Sequence, residues 1–111
     1  MYSDNFTKIR QFLLVSGFVP EQGQGESGIF YRYAIPEYKT YFETDLSKPC
    51  LTAVYPDFAF NRRNPYSGKD TVVSFEWNSN EDQELTIKSI EAFIDKILVI
   101  VKRGWFLYDA H

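Results

Sequence analysis

The chain reads as a single α+β domain spanning residues 1–111. It has an N-terminal helix, a four-stranded antiparallel meander and a long C-terminal helix, with both helices packed on one face of the sheet (α-β-β-β-β-α). Three observations predict this. Apolar residues recur at helical spacing near the two ends of the chain. The middle is a series of short runs rich in β-branched and aromatic residues, broken by proline and glycine. A meander with both helices on one side satisfies the two-layer rule and needs no crossover.

The first helix is expected from about Asp4 to Ser16. Ser3 or Asp4 can cap it, because a side-chain oxygen there accepts an orphan amide. Phe6, Ile9, Phe12, Leu13 and Ser16 share one face. Gly17 suits the left-handed position after the last turn, Phe18 then folds back on Leu13 or Leu14, and Pro20 forbids continuation. Pro20 to Gly28 (PEQGQGESG) reads as a loop. Its glycines lack the spacing and the strand–helix context of a phosphate-binding turn.

Ile29 to Ile35 and Tyr38 to Asp45 read as strands joined by a tight hairpin at Pro36-Glu37. Tyr31 and Tyr33 share a face with Ile29 and Ile35. Both faces carry rings, so the pattern does not choose which one meets the core. Leu51 to Tyr55 is the third strand, halted at Pro56-Asp57, and Phe58-Ala59-Phe60 extends it after a kink. Asn61 to Asp70 is a long turn-rich loop. Thr71 to Trp77 is the fourth strand, with Val73, Phe75 and Trp77 inward and Val72, Ser74 and Glu76 outward.

The second helix is expected from Asn80 to Arg103, capped by Ser79 or Asn80. Glu81, Asp82 and Glu84 suit the positive end of the helix dipole, and Lys102 and Arg103 the negative end. Ile87, Ile90, Phe93, Ile94, Ile97, Leu98 and Val101 form a wide apolar stripe. Gly104 reads as the stop, with Trp105-Phe106-Leu107 folding back as an apolar clasp. A helix of this length must lie diagonally across the sheet.

Composition narrows the function classes. There are 12 Lys+Arg against 15 Asp+Glu, for a net charge of -3, which opposes general phosphate binding. One Cys excludes a disulfide framework, and one Cys with one His excludes a Cys/His zinc site. Cys50 reads as a structural thiol. The only His is the terminal His111, so nucleophilic catalysis lacks a positioned base. No targeting segment is visible and no apolar run is long enough to span a bilayer, which makes a cytoplasmic location the expectation.

Carboxylates are the remaining catalytic option. Glu43 and Asp45 share a strand face, and Asp57 and Glu76 follow in order. Pro56-Asp57 then Glu76 is similar to the PD…(D/E)xK order of metal-dependent nucleases, but Asn78 stands where the pattern needs Lys. No catalytic constellation emerges, so an enzyme and a cofactor are not expected, and a carboxylate-metal enzyme is a remote alternative.

Two surfaces are locally distinct. Phe58 to Lys69 (FAFNRRNPYSGK) carries Phe60, Arg62, Arg63, Tyr66 and Lys69 with no acid. Residues 61–70 sum to +2, leaving -5 on the rest of the chain. Arg and Tyr are common anchors of interfaces. The second surface is the tyrosine-bearing hairpin face with Tyr31 and Tyr33, since ordered Tyr rings suit exposed contacts. The expected function is a small intracellular protein-interaction module (a regulator, inhibitor or immunity-type protein) that binds a partner protein through one of these surfaces. The alternative is a nucleic-acid binder using the 58–69 loop. A homodimer through the hairpin edge or the tyrosine face is a further candidate assembly. A membrane partner is not expected.

Overall fold

The computed structural model describes residues 7–21, 30–46, 48–58 and 69–109. Its elements are α1 (Thr7–Val15), β1 (Val19–Glu21), β2 (Phe30–Ile35), a one-turn 3-10 helix (Pro36–Tyr38), β3 (Thr40–Asp45), β4 (Cys50–Pro56), β5 (Asp70–Glu76) and α2 (Gln83–Asp109). The strands form one antiparallel sheet in the order β1-β2-β3-β4-β5. The α+β class and the meander hold, with five strands where four were expected.

The extra strand is β1. Val19, Pro20 and Glu21 pair with Arg32, Tyr31 and Phe30. The polar, glycine-rich composition of Pro20 to Gly28 made this stretch read as loop, and Pro20 donates no ladder hydrogen bond. At a sheet edge that donor is not needed, and proline is tolerated there. The turn before β1 forms as expected. Gly17 adopts φ 105°, Phe18 N–H bonds Leu13 O at 2.9 Å and Gly17 N–H bonds Leu14 O at 3.2 Å. This pair of bonds satisfies carbonyls that the end of α1 leaves open. The proposed caps Ser3 and Asp4 lie outside the described residues.

Between β2 and β3 the chain turns through the 3-10 helix, with Lys39 in the left-handed region at φ 50°. Tyr38 is therefore in the turn, and β3 begins two residues later than expected. Thr40 Oγ1 donates to Tyr38 O at 2.9 Å across the corner. At the far end of β4, Asp57 N–H bonds Lys69 O at 3.0 Å and closes the base of the β4–β5 connection.

α2 departs from expectation at both ends. It starts at Gln83, because Asp82 is the cap: its Oδ1 accepts from Glu84 N–H at 2.8 Å, and its carbonyl accepts from Thr86 N–H at 3.0 Å. Asn78 instead closes the preceding turn, accepting from Asn80 N–H on its side chain and from Glu81 N–H on its carbonyl. At the other end Gly104 does not stop the helix, which runs on to Asp109. Trp105 is buried and its indole N–H donates to Tyr38 O at 2.9 Å. Phe106 and Leu107 are exposed, so the expected clasp does not form. Gly104 answers a packing need: a Cβ there would lie 2.4 Å from the ring of Phe58. Phe58 in turn meets Trp105 edge-on, with ring centroids 5.5 Å apart. With 27 residues α2 spans about 40 Å.

One sheet face carries Tyr31, Ile35, Phe42, Thr44, Leu51, Ala53 and Tyr55, and it packs against Ile9 and Leu13 of α1 and Ile90, Ile97 and Val101 of α2. Val73, Phe75 and Trp77 join this core at its edge, while Val72, Ser74 and Glu76 face out, as their alternation predicts. Gln83 ties the helices together: its Oε1 accepts from Lys8 N–H at 2.9 Å and from Ile9 N–H at 3.4 Å, filling orphan amides of α1.

The core also sets an alkaline limit. Burial, with the Asp57 carboxylate beside it, pushes the Tyr55 hydroxyl above its usual pKa of 10.0. The folded state thus holds this proton more tightly than the unfolded chain. The associated stability is fully present below pH about 10 and is lost as pH rises through the folded pKa. Tyr55→Phe is expected to flatten that alkaline loss in urea unfolding measured between pH 8 and 11, and an identical slope in the two proteins would refute it.

Candidate functional site

Because side chains alternate along a strand, the residues between the core positions build the opposite face of the sheet. No helix covers this face among the described residues. The strand registers lay it out in rows. One row runs Glu21–Phe30–Asp45–Cys50–Glu76, the next Val19–Arg32–Glu43–Thr52–Ser74, and a third Ala34–Tyr41–Val54–Val72. Pro56 and Asp70 close the far end.

The chemistry of the face is acidic with an apolar strip. Glu21, Glu43, Asp45, Asp70 and Glu76 stand against Arg32 among its charged side chains. Arg32 is engaged within the face: its guanidinium lies 4.2 Å from the Tyr41 ring centroid and 3.9 Å from Glu21. Thr52 and Ser74 hydroxyls bond each other at 3.0 Å. Val72 is 63% exposed and Val19 60%. A shallow depression of about 240 Å³ opens among Phe30, Glu43, Asp45, Lys48, Cys50 and Thr52. Cys50 therefore lies half-buried in a surface depression, not in the core as a structural thiol would.

The sequence-derived candidates fall elsewhere. Tyr31 is a core residue at 6% exposure. Tyr33 is half-buried, its ring stacked 6.2 Å from Phe42 and 5.4 Å from Phe18. The tyrosine face is thus the face the helices cover, which corrects the expectation of an open tyrosine surface. The reason is geometric: Tyr31 and Tyr33 share register rows with Thr44 and Phe42, the inward residues of β3. Phe60, Arg62, Arg63 and Tyr66 lie outside the described residues. Lys69 is exposed at the root of the β4–β5 connection, where its carbonyl accepts from Asp57 N–H.

The structure separates the carboxylates of the nuclease-like order. Asp57 follows Pro56 at one end of the β4–β5 pair, and Glu76 opposes Cys50 at the other. Six residues of strand, about 20 Å, lie between those ends. Among the described residues no three of His, Cys, Asp and Glu converge to hold a metal ion. No helix of the described residues is long and apolar enough to cross a membrane.

A second concavity lies on the helix side. α1, α2 and β2 enclose a cleft of about 230 Å³ lined by Phe12, Ser16, Phe18, Tyr33, Glu91, Ile94, Asp95 and Leu98. The sequence signal for it was spread over three elements, so neither periodicity nor motif brought these residues together.

The fold and these two surfaces define a two-layer α+β protein with an acidic sheet face that no helix covers among the described residues. Comparison with protein-family models, curated proteins and solved structures returns no match to this chain.

Proposed function

We propose that the chain is a small intracellular protein-interaction module, of the regulator, inhibitor or immunity type, placed in the cytoplasm and acting on a partner with a basic surface. The observation that carries this reading is the sheet face without a helix layer, with its acidic rows, its exposed valines and its shallow depression. Complementary charge steers such encounters and selects against wrong partners, while apolar contacts at the centre supply affinity. The depression suits one anchoring side chain of the partner. The same acidity repels phosphate, so the face disfavours the nucleic-acid alternative. The 58–69 loop, with Phe60, Arg62, Arg63, Tyr66 and Lys69, is the competing contact in this proposal.

The test is capture from source lysate with wild type and with Glu43→Arg/Val72→Arg, two changes on the helix-free face. A discrete partner retained by wild type and weakened at least about tenfold by the variant, with unchanged melting temperature, is expected. No discrete partner overturns the reading. A partner kept by that variant but lost by Arg62→Ala/Arg63→Ala/Tyr66→Ala moves the contact to the loop and overturns the assignment of the face.

A further inference from the structure

We propose that the cleft between α1, α2 and β2 binds an alkylammonium cation, either a small free molecule or the modified lysine side chain of a peptide. The inference goes beyond the sheet-face reading and shares no residue with it.

The cleft combines rings with carboxylates. Phe12 comes from α1, Phe18 from the turn after it, and Tyr33 from β2. Gly17 sets two of the three rings. Its left-handed turn sends Phe18 inward, and a Cβ at Gly17 would sit 3.3 Å from Cε1 of Tyr33, so the bare glycine lets that ring lie close. Phe18 and Tyr33 end 5.4 Å apart, tilted by 38°. Glu91 and Asp95 line the same cleft from α2, with Ile94 and Leu98 beside them.

Glu91 and Asp95 are four residues apart and thus neighbours on one helix face. Like charges at this spacing destabilise a helix. Neither forms an ion pair with another described residue. A cation in the cleft would relieve that repulsion and lie against the half-buried rings of Phe12 and Tyr33, with buried Phe18 packed behind them. The walls decide which cation. Rings and aliphatic side chains suit a weakly hydrated, bulky ammonium. A hard metal ion requires more oxygen ligands than two carboxylates provide. Size agrees as well: drug-sized ligands fill clefts of about 300–1,000 Å³, and this one, at about 230 Å³, matches a smaller molecule or one side chain.

The experiment is titration of isotope-labelled protein with choline chloride at constant ionic strength, followed by amide chemical shifts. Saturable shifts around Phe12, Phe18, Tyr33 and Asp95, with a Kd of about 1 mM or tighter, are expected. The neutral isostere 3,3-dimethylbutan-1-ol should bind at least about tenfold more weakly. Glu91→Gln/Asp95→Asn, at two exposed positions that leave the core intact, should weaken choline by a similar factor. A parallel titration with N-acetyl-trimethyllysine methylamide separates the two sources, since tighter binding of either probe names the one that fits. No saturable shift with either cation up to roughly 50 mM overturns the proposal. So does equal affinity for the neutral isostere, or unchanged binding by the double variant.

Discussion

Replacing Phe42 by Ala is expected to lower the unfolding free energy by about 3–5 kcal/mol, measured as the shift in urea midpoint at constant slope. Phe42 is fully buried on β3, the middle strand of the sheet. Its ring lies 6.2 Å from Tyr33 and 6.5 Å from Phe18 by centroid. Its partner on the other side is Ala53, whose small side chain leaves room for the ring. Removal of the ring therefore opens a void beside a residue too short to fill it. β3 is hydrogen-bonded on both edges, so the backbone cannot collapse inward either. Small domains have about 5–15 kcal/mol in total, so the loss is a large share of the whole. Phe42→Leu, which keeps most of the volume, should cost far less. A loss below about 1 kcal/mol for Phe42→Ala would contradict the central placement of this ring.

Gly104→Ala is expected to destabilise by about 1–3 kcal/mol, the cost of overpacking. The sign is the informative part. Within an exposed helix the same change is stabilising by up to about 1 kcal/mol, because alanine is the better helix former. Here the new methyl would stand 2.4 to 2.6 Å from three atoms of the Phe58 ring. The ring cannot simply swing away, since its edge is set against Trp105. Phe58→Ala removes the clash, so the double variant Gly104→Ala/Phe58→Ala should show a favourable coupling relative to the sum of the single changes. Thermal unfolding of the four proteins in the cycle measures it. A Gly104→Ala protein more stable than wild type would refute the contact.

The same glycine shows where sequence reading loses its hold. Glycine after an apolar stripe is a common helix stop, and nothing local distinguishes a stop from a close crossing. The difference lies in Phe58, 46 positions away on another element. The segment from Val19 to Glu21 misleads in a related way: it is three residues long and runs into a polar, glycine-rich stretch, and its pairing at the sheet edge is a tertiary fact. Strands β2 to β5 are legible because their alternation and their punctuation agree. β5 is the clearest case, with Val73, Phe75 and Trp77 packed inward and Val72 exposed. The hairpin is harder, because rings on both faces of β2 and β3 leave the inward side undecided until the helices are in place. That ambiguity displaced the candidate site. The pattern drew attention to Tyr31 and Tyr33, whereas the helix-free face is built from their neighbours Phe30, Arg32 and Ala34. Acids on three different strands become one surface only through register, which no single strand encodes.

The strand order has a consequence for how the chain reaches this state. Each strand of the sheet is bonded to its neighbour in the chain, so every pairing closes a short loop; the widest such gap is from Pro56 to Asp70. The contact of Lys8 with Gln83 instead joins positions 75 apart. Closure entropy grows with loop length, and folding slows as contacts become more distant in sequence. The entropic barrier of assembly is thereby small across the sheet and concentrated at the docking of α2, which meets α1 at Gln83 and the Tyr38 turn, 67 positions away, at Trp105. In folding terms the molecule is local at each strand pairing and non-local wherever its long second helix docks.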